Sequence, residues 1–460
     1  MTHTCDVLLT GGVVVTMDDD RRIIEKGAVA VQGNCVVAVG PAHELLNWKA
    51  ARVVPCEGHA VIPGLIDTHN HLFQAAARGL GDGLALQAWL EKLMLPLAGG
   101  IKPDEALAAV RVGALASLSC GTTTIIDNHY APNDVQTSLQ VAGVLHDMGL
   151  RGAIARGAFG PFTDIARENQ QNPMLFHSSV AQELDNMRTC MNAWRSDRVA
   201  IWPSPVNLIY NEQDLVRGLV EMAREFGAPW HTHCSEAASD PENYQKAYGV
   251  RPFVWMQQQG LLGPDATFAH AIWLDDEEVD IAGSNVCGIA HNPMSNAYLA
   301  SGTMRLRDLR SAGAMIGMGT DGAAGHLMDM FHIMRQMVYV QRLHTLNPQA
   351  SSAADAFELA TRGGAAMVGI DAGCLMPGKL ADIAVVSLQG AHMVPCFDPV
   401  ASLVYCASGR DVTLTMVNGR IAYEQGRAQF VDHDKIISEA HQYCEDLILR
   451  LNINVPGRFV

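Results

Sequence analysis

The sequence predicts an α/β protein that combines a (β/α)8 barrel with a small composite β-sandwich built from both chain termini. Between residues 58 and 373, eight strand-like stretches each precede a stretch of helical character. Short β-like runs separated by turn residues stand on both sides of that segment. Eightfold alternation of strands and helices is typical of a closed parallel barrel.

The β-sandwich is predicted from short runs near both termini, at 7–9, 13–17, 28–31, 36–39, 383–386, 414–417 and 420–423. Gly and Asn pairs such as Asn418-Gly419 separate these runs and indicate tight turns. No run is long enough to form a core alone, so we expect residues 1–57 and 374–433 to form one module. Residues 434–460 are expected to add an amphipathic helix and a tail.

The barrel is expected to span residues 58–373. Its predicted strands are 61–68, 122–128, 152–157, 199–203, 228–233, 267–270, 286–290 and 314–319. Catalytic residues of such barrels lie at the C-terminal ends of the strands. Polar residues at those positions are therefore the first candidates for a functional site.

The composition limits the classes of partner. The chain is 48% hydrophobic and 17% charged, with a formal net charge of −16. This acidic balance argues against nucleic acid or an anionic membrane as partner. Eleven cysteines are scattered without paired spacing, which indicates reduced thiols. No signal peptide or membrane-length apolar run is evident, so we expect a soluble cytoplasmic protein.

Two histidines, His69 and His71, end the first predicted barrel strand. Alternate side chains of a strand share one face, so the two imidazoles are a candidate pair of metal ligands. A His-x-His motif alone is too short to exclude two surface histidines in a loop. Other ligands must therefore come from other strands.

Three further residues supply such groups, because His233, His270 and Asp321 each follow or end a predicted strand. At one barrel mouth they can converge with the first pair. Three imidazoles and a carboxylate form an N/O ligand set that suits Zn²⁺ or Fe²⁺ and leaves a position for water.

These motifs resemble the amidohydrolase superfamily, specifically its mononuclear heteroaromatic deaminases and s-triazine hydrolases. The matching segments are Pro63-Gly-Leu-Ile-Asp-Thr-His-Asn-His71, His233-Cys-Ser-Glu236, His270, His291-Asn-Pro-Met-Ser-Asn296, Gly319-Thr-Asp321 and Gly378-Lys-Leu-Ala-Asp-Ile383. They recur in the family's order over almost the whole chain.

The resemblance implies one divalent metal, Zn²⁺ or alternatively Fe²⁺, held by His69, His71, His233 and Asp321. Binuclear members commonly bridge two metals with a carbamylated lysine on a middle strand. Between Lys102 and Lys246 this chain has no lysine, so a single metal is favoured and ring opening of the hydantoinase type is disfavoured.

The resemblance also implies roles for three catalytic residues. Metal-bound hydroxide would attack a ring carbon bearing an amino group while Asp321 takes its proton. Glu236 would protonate the adjacent ring nitrogen, and His270 would stabilise the tetrahedral intermediate. His231 matches no ligand position and is interpreted as support within its strand.

The leading hypothesis is hydrolytic deamination of a small amino-substituted N-heteroaromatic ring: a triazine, a pterin or a purine base. Nucleoside deaminases of the family carry a Glu that binds ribose hydroxyls, and Ala98 stands at the comparable position here. They also carry a His near the Ser-Pro of the fourth strand, where this chain has Trp202-Pro-Ser-Pro205. Buried hydroxyls without partners would each cost about 1–3 kcal/mol.

Three alternatives remain open. The same ring type could instead lose chloride or an alkylamine, or the substrate could be S-adenosylhomocysteine or methylthioadenosine. An inactive scaffold would be expected to have lost ligands, yet the ligand set is complete.

Five residues are candidates for substrate contact: Arg156, Trp89, Asn296, His291 and Ala98. Arg156 could instead form a salt bridge at the barrel mouth, and His291 could merely support the following loop. The loop 322–326 departs from the family pattern, so we expect an unusual pocket next to the metal. By resemblance, a homodimer or homotetramer is expected.

Overall fold

The computed structural model describes residues 3–176, 178–322 and 324–455. Two sheets organise the chain, one of nine strands and one of eight. The nine-stranded sheet draws on both ends of the chain, and the eight-stranded sheet lies between them in sequence. These two sheets agree with the predicted fold class, a barrel plus a β module built from both termini.

The N-terminal part of the module contains five strands. They are β1 (His3–Val15), β2 (Ile23–Gln32), β3 (Cys35–Pro41), β4 (Trp48–Pro55) and β5 (His59–Pro63). The predicted run 7–9 lies inside β1, and the run 13–17 overlaps its end. They belong to one strand because Gly11-Gly12 forms an irregularity within the β1–β2 ladder instead of a turn. Gly11 has φ +89°, which a residue with a Cβ rarely adopts. Strand β4 was not predicted, since most of its side chains are exposed and give no apolar pattern.

Eight parallel strands form the second sheet. They are β6 (Leu65–Asn70), β7 (Thr122–Asp127), β8 (Arg151–Ala158), β9 (Val199–Pro205), β10 (Trp230–Cys234), β11 (Ala266–His270), β12 (Gly288–His291) and β13 (Met315–Met318). Their hydrogen-bonded order runs β10-β11-β12-β13-β6-β7-β8-β9. A parallel bridge between Asn207 and His233 links the two ends of this order, as in a closed barrel.

The predicted first barrel strand, residues 61–68, is wrong in extent, because it contains parts of two strands. Strand β5 pairs antiparallel with the C-terminal part of the module, whereas β6 begins after Gly64 and enters the barrel. A Cβ on Gly64 would lie 2.2 Å from the side chain of Thr123, so the chain changes sheets where only glycine fits.

The C-terminal part of the module contains β14 (Ile383–Ser387), β15 (Val412–Val417), β16 (Arg420–Glu424) and β17 (Arg427–Ala428). Asn418 and Gly419 form the predicted turn between β15 and β16, both with positive φ. Apolar side chains from both termini, among them Leu9, Val31 and Leu414, pack into one cluster. Strand β5 joins the two parts through β1 and β14.

Helices cover the barrel and link its strands. They are α1 (Leu86–Trp89), α2 (Leu95–Gly100), α3 (Pro103–Ser119), α4 (Val135–Asp147), α5 (Asp164–Glu168), α6 (Val180–Ala193), α7 (Gln213–Glu225), α8 (Asp240–Tyr248), α9 (Pro252–Gln258), α10 (Asp276–Ser284), α11 (Pro293–Tyr298), α12 (Leu306–Ala312), α13 (Met330–Thr345), α14 (Ala353–Glu358), α15 (Gly364–Val368), α16 (Pro399–Tyr405) and α17 (His433–Arg450). The predicted C-terminal helix is α17.

Over the described residues, no helix combines the length and apolar character needed to cross a membrane.

Candidate metal centre and active site

Four side chains, from strands β6 and β10 and from the positions just after β6 and β13, converge at the C-terminal mouth of the barrel. His69, His71, His233 and Asp321 each place one ligand atom within 4.8 Å of the other three. Oδ1 of Asp321 lies 2.9 Å from Nε2 of His69 and 3.4 Å from Nε2 of His71. The four residues that the sequence nominated as ligands are therefore brought together.

Hydrogen bonds at Nδ1 orient two of these imidazoles. Nδ1 of His71 lies 2.7 Å from the carbonyl of Asn128, and Nδ1 of His233 lies 2.9 Å from the carbonyl of Val206. A carbonyl only accepts, so each Nδ1 carries the proton and each Nε2 keeps its lone pair. These two Nε2 atoms lie 3.2 Å apart, with both lone pairs available to one ion.

The imidazole of His69 and the carboxylate of Asp321 also have the features of metal ligands. Nε2 of His69 is buried without a hydrogen-bond partner among the described residues, although Oδ1 of Asp321 is close. Burial lowers the pKa of His69 and of His233 well below the usual value, so both imidazoles are neutral. The pKa of Asp321 is held well below its usual value chiefly because the neighbouring His270 outweighs the opposing effect of burial. Neutral nitrogens and an ionised carboxylate with no proton between them fit a divalent metal such as Zn²⁺.

A buried carboxylate fixes the loop that carries Asp321. Asp67 on β6 accepts hydrogen bonds from the backbone N–H of Thr320 at 3.0 Å and from its hydroxyl at 2.6 Å. The N–H of Asp321 donates to the carbonyl of His69 at 2.9 Å. These contacts hold the end of β13 against β6 and bring the ligands of both strands together.

Glu236 and His270 adjoin the ligand group. Nε2 of His270 lies 3.5 Å from Oε2 of Glu236 and 3.6 Å from Oδ2 of Asp321. Burial raises the pKa of Glu236 to about 7. Burial opposes protonation of His270, but the charges of Glu236 and Asp321 outweigh it and raise its pKa. Asp321 thus directs one oxygen towards the ligand group and the other towards His270.

The backbone is strained at three positions beside these side chains. Ser235, His270 and Asp321 have φ values of 50°, 76° and 58°, although none is a glycine. Such conformations cost about 1–3 kcal/mol each and are common at active sites, where the surrounding structure enforces them. The strain supports a functional role for this part of the fold.

A cavity of about 170 Å³ opens beside the four ligands. It is lined by the ligands His71, His233 and Asp321, by Glu236 and His270, and by aromatic and amide side chains, including Trp89, Tyr130, Tyr210, Tyr298, Gln74, Gln87, Asn169, Gln171, Asn207 and Asn243. Aromatic surface with a few placed polar groups is typical of a site for a flat heterocycle.

Of the five predicted substrate residues, Trp89 lines this cavity. The atypical loop 322–326 also contributes to the lining, through Ala324, Gly325 and His326. Ala323 of that loop lies outside the described residues. Tyr298 packs so closely on Gly325 that a Cβ there would lie 2.5 Å from its ring. The glycine in this unusual loop therefore allows the close contact with Tyr298 in the cavity wall.

Arg156 lies outside the cavity lining, although a substrate contact is predicted for it from the sequence. Its guanidinium is buried and pairs with Glu183 at 2.7 Å, with a second hydrogen bond to the carbonyl of Asn133. Arg156 is not among the residues that line the cavity. Its placement argues against the predicted substrate contact and matches the alternative of a salt bridge.

Three other predicted substrate residues also lie outside the cavity lining. Ala98 is buried on α2, three residues after the lining residue Leu95. Oδ1 of Asn296 accepts a hydrogen bond from Nδ1 of His270 at 3.0 Å, so Asn296 orients that imidazole. His291 is buried, and neither ring nitrogen has a hydrogen-bond partner among the described residues. The structure gives no physical account of His291.

Sequence reasoning missed most of the cavity wall. Gln74 follows the ligand His71 by three residues, and Tyr130 follows the strand end of β7 by three. Proximity to a strand end could have suggested these two. The amides Asn169 and Gln171 come from a loop after α5, and no motif distinguishes them.

Comparisons with known proteins agree with this geometry. The profile of the amidohydrolase family matches residues 60–422. The chain is 32% identical over 445 residues to 5-methylthioadenosine/S-adenosylhomocysteine deaminase of Nitratidesulfovibrio vulgaris, covering 95% of this chain and 97% of that protein. An adenosine deaminase from Xanthomonas campestris, solved with bound zinc, is similar at a TM-score of 0.88 and 25% identity, covering 98% of this chain and 100% of that one. A mutant atrazine chlorohydrolase from Arthrobacter aurescens, complexed with zinc and atraton, is similar at a TM-score of 0.88 and 25% sequence identity. The match covers 95% of this chain and 100% of that one.

Proposed function

The chain belongs to the amidohydrolase family, and from this premise we propose that it hydrolytically deaminates an amino-substituted N-heteroaromatic ring of the adenosine type. One observation carries the proposal. Three imidazoles and a carboxylate meet at the same cavity mouth as the half-buried Glu236 and the buried His270. Ligands for a metal and groups for proton transfer therefore face one space.

A bound divalent metal would supply a water of lowered pKa, near 7, as the nucleophile. Oδ2 of Asp321 lies 3.6 Å from Nε2 of His270, and this carboxylate would take a proton from that water. Glu236, whose pKa burial raises to about 7, can carry a proton at neutral pH and deliver it to a ring nitrogen. His270 donates to the attacking oxygen and stabilises charge on it. The exocyclic C–N bond then breaks, the amino group takes the proton held by Asp321 and leaves as ammonia, and the oxygen stays on the ring carbon as a carbonyl.

Asn296 supports this arrangement from behind the ring of His270. Its Oδ1 accepts a hydrogen bond from Nδ1–H of His270, so Nε2 of His270 faces Glu236 and Asp321. The imidazole is thereby held in one orientation. Loss of this support would disturb the chemical step and leave substrate affinity largely intact.

An adenosine-type nucleoside is the substrate that the cavity and the relatives favour. Gln87, Asn169, Gln171 and Asn243 contribute amide groups to the wall, and such groups can pair with ribose hydroxyls. They could replace the Glu that is absent at position 98. The relative at 32% identity is named for two adenosine derivatives, 5-methylthioadenosine and S-adenosylhomocysteine.

The charge of the wall favours an uncharged substituent on that nucleoside. Three carboxylates line the cavity, those of Glu236, Asp240 and Asp321, and no lining residue within the described ranges is Lys or Arg. A substrate carboxylate or phosphate would lack a cationic partner among these residues. We therefore expect 5-methylthioadenosine to be preferred over S-adenosylhomocysteine.

A free heterocycle is the second candidate. Ala98 and the apolar Trp202-Pro203 segment stand where nucleoside deaminases of the family carry polar groups. Without those groups, a purine base, pterin or triazine would leave fewer hydroxyls unpaired. The atrazine chlorohydrolase similarity adds chloride as a leaving group to be tested.

The experiment is a panel of 5-methylthioadenosine, S-adenosylhomocysteine, adenine and an aminochloro-s-triazine, assayed with zinc-loaded protein. Ammonia and chloride are measured separately for each compound. The proposal expects ammonia release, with the highest kcat/KM for 5-methylthioadenosine. Highest activity on adenine or the triazine would favour the free ring, and chloride without ammonia would overturn the proposed leaving group.

A further inference from the structure

We propose that His231 is a positioning residue that fixes the tautomer of the metal ligand His69 through a relay of hydrogen bonds. The relay consists of His69, His231, Thr267 and the carbonyl of Trp230. The inference deepens the proposed function. It rests on that proposal in one respect only, because both require a metal at this centre. From the sequence alone, His231 is interpreted only as support within its own strand.

His69 differs from the other two histidine ligands in the partner of its Nδ1. His71 and His233 each contact a backbone carbonyl, which fixes their protons without any other side chain. Nδ1 of His69 instead lies 2.8 Å from Nε2 of His231, an atom that can either donate or accept. The tautomer of His69 therefore depends on the tautomer of His231.

Thr267 and Trp230 determine which nitrogen of His231 carries the proton. Oγ1 of Thr267 lies 2.8 Å from the carbonyl of Trp230 and 2.8 Å from Nδ1 of His231. The carbonyl only accepts, so it directs the single hydroxyl proton to itself. The hydroxyl oxygen then accepts from Nδ1–H of His231, and Nε2 of His231 keeps its lone pair for Nδ1–H of His69.

The last step leaves Nε2 of His69 unprotonated and facing Oδ1 of Asp321 at 2.9 Å. If His231 carried its proton on Nε2, the proton of His69 would have to move to its own Nε2, where the metal binds. The relay therefore disfavours the tautomer that blocks the metal. Outer hydrogen bonds of this kind orient ligands and set metal affinity in other metalloproteins.

The relay also crosses the interior of the barrel. His69 lies on β6 and His231 lies on β10, and three strands separate β6 from β10 in either direction around the barrel. His69, His231 and Thr267 are fully buried, so water does not compete for their hydrogen bonds. The same strand β10 carries His233, so the relay ties two ligand strands together beneath the centre.

The test measures Zn²⁺ affinity of the metal-free protein by competition with a chromophoric chelator. Thr267→Val keeps the shape of the side chain and removes the hydroxyl, whereas Thr267→Ser keeps the hydroxyl. We expect the valine variant to bind Zn²⁺ about 10-fold more weakly and the serine variant to bind close to wild type. His231→Leu should weaken binding by about 10-fold to 100-fold, and His231→Gln, whose amide oxygen can accept from His69, should recover most of that loss.

Thr124→Val is the matched control, since Thr124 is a buried barrel threonine whose hydroxyl has no hydrogen-bond partner among the described residues. It should leave Zn²⁺ affinity unchanged. ¹⁵N spectra of the imidazoles in metal-free protein give a second readout. His69 should carry its proton on Nδ1 in wild type and show both tautomers in Thr267→Val.

Equal Zn²⁺ affinity and equal His69 spectra for Thr267→Val, Thr267→Ser and wild type would overturn the proposal, because His231 would then only fill space. If His231→Leu fails to fold, the two Thr267 variants still decide the question. Neither readout uses turnover. Failure to deaminate any ring would therefore overturn the proposed function and leave this result intact.

Discussion

Oε2 of Glu236 lies 3.5 Å from Nε2 of His270, at the mouth of a cavity that both side chains line. A carboxyl group and an imidazole thus face the same small volume. The ligand group is adjacent, because Asp321 is one of its four members and its Oδ2 lies 3.6 Å from Nε2 of His270. The proposed chemistry depends on this shared position.

Glu236→Gln should abolish most turnover without removing the metal. The amide keeps the shape of the side chain but cannot transfer a proton, so kcat should fall by about 10²-fold to 10⁴-fold. Metal content by elemental analysis should match wild type, since Glu236 is outside the ligand group. A variant with less than threefold loss of kcat would show that Glu236 is not the proton donor.

The pH profile should show an alkaline limb. Burial raises the pKa of Glu236 to about 7, so the protonated form dominates below that pH and is depleted above it. As the acid form is required, kcat/KM should decline as the pH rises beyond about 7. The residual activity of Glu236→Gln should lack this limb. A wild-type profile that is flat between pH 6 and 9 would contradict the assignment.

Asn296→Ala should affect kcat more than KM. The lost hydrogen bond supports a charged or partly charged His270, and such bonds contribute about 1.5–3 kcal/mol. A loss of about 10-fold to 100-fold in kcat follows. Asn296→Asp keeps an acceptor and is the control that should retain more activity. A rise in KM with unchanged kcat would instead support the original prediction of substrate contact.

Arg156→Met should destabilise the fold by about 3–5 kcal/mol, because Glu183 would remain as a buried unpaired charge. The double variant Arg156→Met with Glu183→Met should recover most of that loss. Chemical denaturation measures both effects. At a temperature where both variants are folded, KM should equal that of wild type, and a large KM increase would indicate that Arg156 contacts substrate after all.

Much of the site could be predicted because its residues follow buried strands. His69, His233, His270 and Asp321 occupy strand ends, and parallel strands in a barrel present those ends at one mouth. Apolar runs bounded by turn residues located each barrel strand to within a few residues. The first strand is the exception, because the apolar run continues through Gly64 while the chain changes sheets.

The substrate residues were predicted less well for a physical reason. Whether Arg156 reaches the cavity depends on Glu183, which lies on a helix and shares no motif with it. Asn296 on α11 and His231 on β10 each contact a histidine on a different element, and only the assembled barrel brings those pairs together. Cavity residues such as Gln171 lie on loops, where sequence periodicity carries no information.

The most direct test of the central claim is turnover of 5-methylthioadenosine in ¹⁸O-labelled water, with metal-replete and chelator-treated protein compared by mass spectrometry. The account predicts one ¹⁸O at the ring carbon that lost its amino group, one equivalent of ammonia, and loss of both on metal removal with recovery on adding Zn²⁺. Deamination that survives complete metal removal would contradict it, as would a product that gains water but retains its amino nitrogen.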